Sequence, residues 1–155
     1  MRFSAVDWYV EHTLGLRTEF VPVAPEEQNS DYEAGNAPVS GQRWRLRTAR
    51  VTPTKAGAFV AVWRRSEQGA TEPFPADEEI AGLAVFVVEE DQRRGLFWFT
   101  AAHLRELGIT SSQGHPGKRG FRVYPEWCTG LNRQASRTQA AQAPAFVRLG
   151  ATSGS

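Results

Sequence analysis

Lys55 and Lys118 are the only lysines among eighteen basic residues; the other sixteen are arginines. Where arginine has generally taken the place of lysine, the two survivors mark positions suited to a compact ammonium instead of a planar guanidinium. Each stands in a glycine-containing loop, Thr52-Pro53-Thr54-Lys55-Ala56-Gly57 and Gly114-His115-Pro116-Gly117-Lys118-Arg119-Gly120. Glycine lets backbone N–H groups approach an anion closely, so both loops are candidate phosphate contacts. The arginine excess alone carries little weight, because a genome that favours arginine codons produces it too.

The first loop is the tip of a wider basic stretch. From Arg43 to Arg65 there are seven basic residues (Arg43, Arg45, Arg47, Arg50, Lys55, Arg64, Arg65) and no acidic one. Apolar and polar residues alternate from Arg43 to Val51, with Trp44 and Leu46 on one side and Arg43, Arg45 and Arg47 on the other, the period of a half-buried strand. On such a strand the arginines repeat every 6.6 Å or so, a guanidinium ladder that matches a polyphosphate backbone; a solvated outer sheet face is the alternative reading. A second apolar run, Ala58 to Trp63, predicts a hairpin with Lys55 at its tip. Trp63, beside Arg64 and Arg65, offers a stacking surface for unpaired bases, although taken alone it reads first as a core aromatic closing a strand. Lys118, Arg119 and Arg122 form a second basic block, and Gln134, Arg137 and Gln139 on the last helix either contact phosphates and base edges or form a solvated face.

These residues define the first functional reading, a nucleic-acid-binding protein without catalysis or cofactor, its partner DNA or RNA. The alternative is a metal-dependent nuclease, which needs two or three carboxylates holding Mg²⁺ or Mn²⁺ and usually a lysine near the attacking water. Neither lysine has a carboxylate two residues before it, so the acidic-x-Lys triplet of restriction-type sites is absent. Asp77 and Glu79, together with Lys55 and Glu33, are the catalytic candidates under that alternative. A third reading is a small anionic-ligand or protein-interaction module; no Walker or dinucleotide glycine fingerprint is present, and His12, His103 and His115 have no ligand spacing.

At 155 residues with 41% hydrophobic side chains the chain has the size and core of one domain, expected over residues 1–149 with a flexible tail at 150–155. The net charge of +1 hides a segregation: residues 67–91 hold eight acidic and no basic side chains, whereas 107–148 hold six basic ones and only Glu126. Local field rather than net charge should govern partner choice. The single Cys128 excludes an internal disulfide, no Cys/His cluster has zinc spacing, and no apolar run reaches membrane-spanning length, which together predict a cytoplasmic protein with no membrane partner. Oligomeric state is left open by the sequence.

The positioning elements follow from periodicity and turn chemistry. Ser4 to Leu14 predicts a helix stopped at Gly15, and Glu26 to Ala34 a short acidic helix closed by Gly35, with Asn36 to Gln42 a loop. Leu83 to Val88 is apolar throughout and predicts a central strand covered on both faces. Leu96 to Thr100 is the next strand, followed by a helix from Ala101 capped by Thr100 and stopped at Gly108. Phe121 to Val123 is a short strand, Leu131 to Ala143 a helix ended by Pro144, and Phe146, Val147 and Leu149 dock on the core. The class expected is α+β, a single mixed sheet flanked by helices.

Several blocks also occur in a recognisable order: YEA at Tyr32 to Ala34, the run Arg47 to Gly57 ending in TPTKAG, FVAVWRR from Phe59 to Arg65, GKRGFRVYP from Gly117 to Pro125, and QASRTQ from Gln134 to Gln139. Together they resemble the MepB family over roughly residues 29–149. MepB-like proteins are small bacterial proteins, one of them encoded beside a multidrug efflux pump and its regulator. The resemblance implies a restriction-endonuclease-like core and a nucleic-acid-binding role. The chain departs from the family pattern at Glu78-Glu79-Ile80, where a second aspartate is expected, and at Ala143-Pro144-Ala145-Phe146, where a more aromatic segment is expected.

Overall fold

The computed structural model describes residues 3–9, 24–26 and 30–149. In chain order these form α1 (Ser4–Tyr9), β1 (Ala24–Pro25), a 3-10 turn (Ser30–Tyr32), β2 (Gly35–Val39), β3 (Gln42–Thr48), β4 (Arg50–Val51), β5 (Ala58–Ala61), β6 (Trp63–Arg65) and β7 (Thr71–Pro73). Then come β8 (Gly82–Val88), β9 (Arg94–Thr100), α2 (Ala101–Glu106), β10 (Gly120–Val123), α3 (Arg133–Gln142), a 3-10 turn (Ala143–Ala145) and β11 (Phe146–Leu149). The expected α+β class is the one observed.

β8 lies inside the main sheet, whose strand order is β1-β2-β3-β8-β9-β11. Its apolar sequence matches its surroundings, because residues 82–87 are all buried. Successive side chains point to opposite faces of a strand. On one face Ala84 and Phe86 join Leu46 and Leu96 beneath Phe3, Val6 and Tyr9 of α1, with the Tyr9 and Phe86 rings edge-on at 5.8 Å. On the other, Leu83, Val85 and Val87 join Phe97 and Phe99 beneath a second sheet that contributes Val60, Phe121 and Val123. Burial of each of these large side chains contributes about 1.5–3 kcal/mol.

β3 and β8 are parallel neighbours, whereas the remaining pairs of the main sheet are antiparallel. A parallel pair requires a crossover. Here the crossover, residues 49–81, carries β4, β5 and the β6–β7 hairpin across one face of the main sheet. β10 joins it to complete a three-stranded antiparallel sheet of order β10-β5-β4. The basic block around Lys55 and the one around Lys118 therefore belong to the same small sheet.

α2 forms as expected: the Thr100 hydroxyl accepts a hydrogen bond from the His103 N–H, and Gly108 takes a left-handed φ of 73° just beyond the helix. Elsewhere the elements differ from expectation. Among the described residues no helix lies between Glu26 and Ala34; the 3-10 turn is there, and Gly35 opens a strand instead of closing a helix. Residues 36–42 are not a loop: β2 pairs with β3 through a two-residue turn at Ser40 and Gly41, whose φ values of 51° and 81° suit an antiparallel hairpin. The predicted hairpin is confined to β4 and β5, and the C-terminal apolar residues pair with β9 as β11 rather than merely docking. The second half of the expected N-terminal helix and the expected tail lie outside the described residues.

One buried ion pair joins the layers. Arg47, fully buried on β3, donates two hydrogen bonds to the Glu26 carboxylate at 2.7 and 2.9 Å, a third to the Ala61 carbonyl of β5 and a fourth to the Leu46 carbonyl. Removing one partner of such a pair leaves an uncompensated buried charge. Glu26→Ala and Arg47→Met are each expected to lower unfolding stability in urea by about 3–5 kcal/mol, because each leaves the other charge buried, whereas the double replacement Glu26→Leu/Arg47→Met, which removes both charges, should cost less than either.

Candidate nucleic-acid interface

The expected guanidinium ladder is not on the surface. Arg43, Arg45 and Arg47 share a side of β3, but that side faces the crossover, and only Arg43 is exposed. Arg45 is buried with its guanidinium carbon 3.6 Å from the centre of the Phe74 ring and its Nη2 donating to Glu78 at 2.7 Å. Burial pulls its pKa below the ordinary arginine value, and the hydrogen bond and charge of Glu78 oppose that shift. Arg45 and Arg47 hold the two layers together and are closed to an external polyanion.

The exposed charge lies instead on the outer face of the three-stranded sheet. Arg50 of β4 stands opposite Phe59 of β5, which stands opposite Arg122 of β10. Directly paired residues project to the same face, so the three make one row across the sheet, the outer two about 10 Å apart. Phe59 is 36% exposed, one of two large hydrophobic residues on the described surface. Sequence reading missed it because it lies within an apolar run whose other members, Ala58, Val60 and Val62, are core residues. Arg122 is steadied by hydrogen bonds to the Ala56 carbonyl at 3.1 Å and the Thr52 hydroxyl at 2.9 Å, which also tie the Lys55 loop to β10. Gly57 in that loop has φ of 78° and lies against the Val123 carbonyl and the Tyr124 ring, so a side chain there has neither the backbone freedom nor the space.

Beyond β10 an open groove of about 470 Å³ separates this strand from α3. Lys118, Arg122 and Arg137 line it over an apolar floor that includes Leu107, Ile109 and Phe121, and no carboxylate is among its lining residues. Asn132 accepts a hydrogen bond from the Ala135 N–H to cap α3, whose first turn borders the groove and adds the partial positive charge of a helix start. Gln142 fixes the spacing between helix and strand. Its buried amide accepts from Tyr124 N–H at 2.9 Å and donates to the Arg122 carbonyl at 2.8 Å, completing the outer edge of β10 as a neighbouring strand would. Gln139 donates to the Pro125 and Cys128 carbonyls, and His103 Nε2 reaches the Ala141 carbonyl at 2.8 Å.

Ion pairing sorts the remaining candidates. Arg64 is paired with Glu72 at 3.0 Å. Arg43, Arg50, Lys55, Arg65, Lys118, Arg119, Arg122 and Arg137 make no salt bridge to a described carboxylate. Arg119 is held by three hydrogen bonds to Thr71, and the Arg65 guanidinium lies 5.4 Å from the Trp63 ring centre. The carboxylates proposed for a nuclease are dispersed. Asp77 and Glu79 are exposed, Glu78 is bound to Arg45, and Glu33 accepts from the Ser4 hydroxyl, the Ala5 N–H and the Thr48 hydroxyl, which anchors α1. Among the described residues no three His, Cys, Asp or Glu side chains are grouped so as to hold a metal ion. No described helix is long and apolar enough to cross a membrane.

With this geometry in hand, the sequence profile of the MepB-like family matches residues 26–148, which includes the three-stranded sheet, the groove and both lysine loops. The chain belongs to the MepB-like family. The crystal structure of MepB superposes with a TM-score of 0.85 at 32% sequence identity, covering 98% of this chain and 100% of that one. Comparison with curated proteins gives no match. The resemblance noted in the YEA, TPTKAG and GKRGFRVYP blocks thus extends to nearly the whole chain.

Gln142 ties the end of α3 directly to β10, beside the further anchors from Gln139 and His103. Gln142→Ala is expected to leave the Tyr124 N–H and Arg122 carbonyl without their partner and to cost about 1–3 kcal/mol. Hydrogen exchange should show the Tyr124 amide losing protection ahead of amides in β8.

Proposed function

We propose that this protein binds nucleic acid, through the outer face of the three-stranded sheet and the adjoining groove, without catalysing a reaction on it. The observation that carries the reading is that Arg122, which flanks the exposed Phe59 together with Arg50, also lines the groove with Lys118 and Arg137, and that none of these four cations is paired to a described carboxylate. Cations in a groove without carboxylates attract a phosphate chain at long range, and the aromatic face between Arg50 and Arg122 on the adjoining sheet offers a stacking partner for a base. Lys55 and Arg119 extend the cationic surface at either end of the small sheet. Membership of the MepB-like family supports the reading, and the restriction-endonuclease-like core implied by the resemblance belongs to this proposal as a scaffold from which the chemistry has gone. A cytoplasmic location fits a chain with one cysteine.

Binding to labelled DNA and RNA strands followed by fluorescence polarisation tests this. Affinity should fall steeply as salt rises, because phosphate contacts release condensed counterions. Lys118→Ala, Arg137→Ala and Arg50→Ala should each weaken binding and reduce the log–log salt slope by about 1. Arg64→Ala, which removes a charge already neutralised by Glu72, should change it little. Affinity indifferent to salt and to all three groove and sheet variants would overturn the proposal, and strand cleavage dependent on Mg²⁺ or Mn²⁺ and lost in Asp77→Asn would replace it with the nuclease reading.

A further inference from the structure

Along β5 and into β6 the residues that share the outer face alternate large, small, large: Phe59, Ala61, Trp63. Ala61 pairs with Gly120 of β10, so two residues with almost no side chain lie side by side between the two rings. The result is an open depression of about 500 Å³. Tyr32, from the 3-10 turn, closes one side with its ring edge-on to Phe59 at 6.3 Å, and Arg119, immobilised by its bonds to Thr71, closes another. Asp31 stands on the rim. The Phe59 ring leans over Gly120, so a Cβ at this position would push the ring aside.

We infer that this depression receives one unpaired base of a single-stranded nucleic acid, stacked on Phe59, and that the protein prefers single strands to duplex; the inference rests on the nucleic-acid reading above. Bases within a duplex are stacked on one another and cannot offer their faces to a protein ring, whereas an unpaired base can. The volume is within the 300–1,000 Å³ or so typical of small-ligand sites. The cup opens beside the cationic row, since Phe59 is both its wall and the centre of Arg50–Phe59–Arg122. A strand whose phosphates follow the arginines thereby brings its bases to the aromatic rings. Arg119 as a donor and Asp31 as an acceptor meet the polar edge of the base, while the phosphate stays with the arginines.

A cycle between protein and ligand tests this directly: wild type and Phe59→Ala, each titrated with a single-stranded DNA and with a fully abasic strand of the same length, alongside the matching duplex. Wild type should bind the base-bearing strand at least tenfold more tightly than the abasic strand or the duplex. Phe59→Ala should lose that preference and keep its affinity for the abasic strand. Phe59→Leu, which preserves the apolar cover over Gly120 but removes the aromatic face, should behave in the same way, separating lost stacking from local collapse. Salt-dependent binding that is equal for all three ligands, or that weakens equally on base-bearing and abasic strands in Phe59→Ala, would overturn the base-binding cup while leaving the phosphate-binding surface standing. Absence of binding to every strand at low salt would overturn both.

Discussion

A buried guanidinium holds this fold together. Arg47 has all its hydrogen bonds directed inward, two to Glu26, one to Ala61 of the small sheet and one to Leu46 of its own strand. Desolvating two charges is costly, and the pair is tolerated because the carboxylate is met bidentately and the other donors reach carbonyls. Its contribution is geometric as much as energetic. An apolar pair at the same place would let the two sheets slide, whereas Nε bonded to a particular carbonyl fixes the register of β5 over β3. Arg45, stacked on Phe74 and bonded to Glu78, repeats the device one step along the strand. The crossover is thus held to β3 at two polar points, the small sheet at Ala61 and the segment after β7 at Phe74 and Glu78.

That docking decides which charges remain available. The same arginine-rich stretch supplies two buried side chains that bind layers together and a third, Arg50, that faces outward across the small sheet. Between Val51 and Ala58 the chain reverses, and the register of β5 with β10 then sets Phe59 opposite Arg122. Gln142 performs the equivalent service on the other side of β10, where its amide substitutes for a strand and leaves a groove lined by cations. The cationic surface is a product of topology: two basic blocks separated in sequence meet because the crossover sheet recruits β10.

Much of the core was legible in the chain, and the reasons are local. β8 declares itself by an unbroken apolar run, and α2 by a threonine cap and a glycine stop, signals that lie within a few residues of the elements they define. β2 was not legible, since Gly35, Asn36 and Pro38 are all poor strand formers; the informative signal was the Ser40-Gly41 turn that follows. For β3 the alternation correctly identified which residues share a face, yet it could not say which face a second layer would cover. The answer depends on Glu26 and Glu78, which lie 21 residues before Arg47 and 33 after Arg45. Phe59 and the cup beside it were hidden for the same reason, because large, small and large residues in a run acquire meaning only when Gly120 is known to lie opposite.

The central claim is that the partner is met where the two basic blocks join, and mapping the contact by amide chemical shifts tests it most directly. With a short single-stranded oligonucleotide added to labelled protein, the account predicts shifts concentrated at Phe59, Gly120 and Arg122, at Lys118, and in the first two turns of α3. Shifts clustered instead around β11 and the β8–β9 turn, or none up to concentrations that saturate weak non-specific binding, about 10⁻⁴ M, would contradict it.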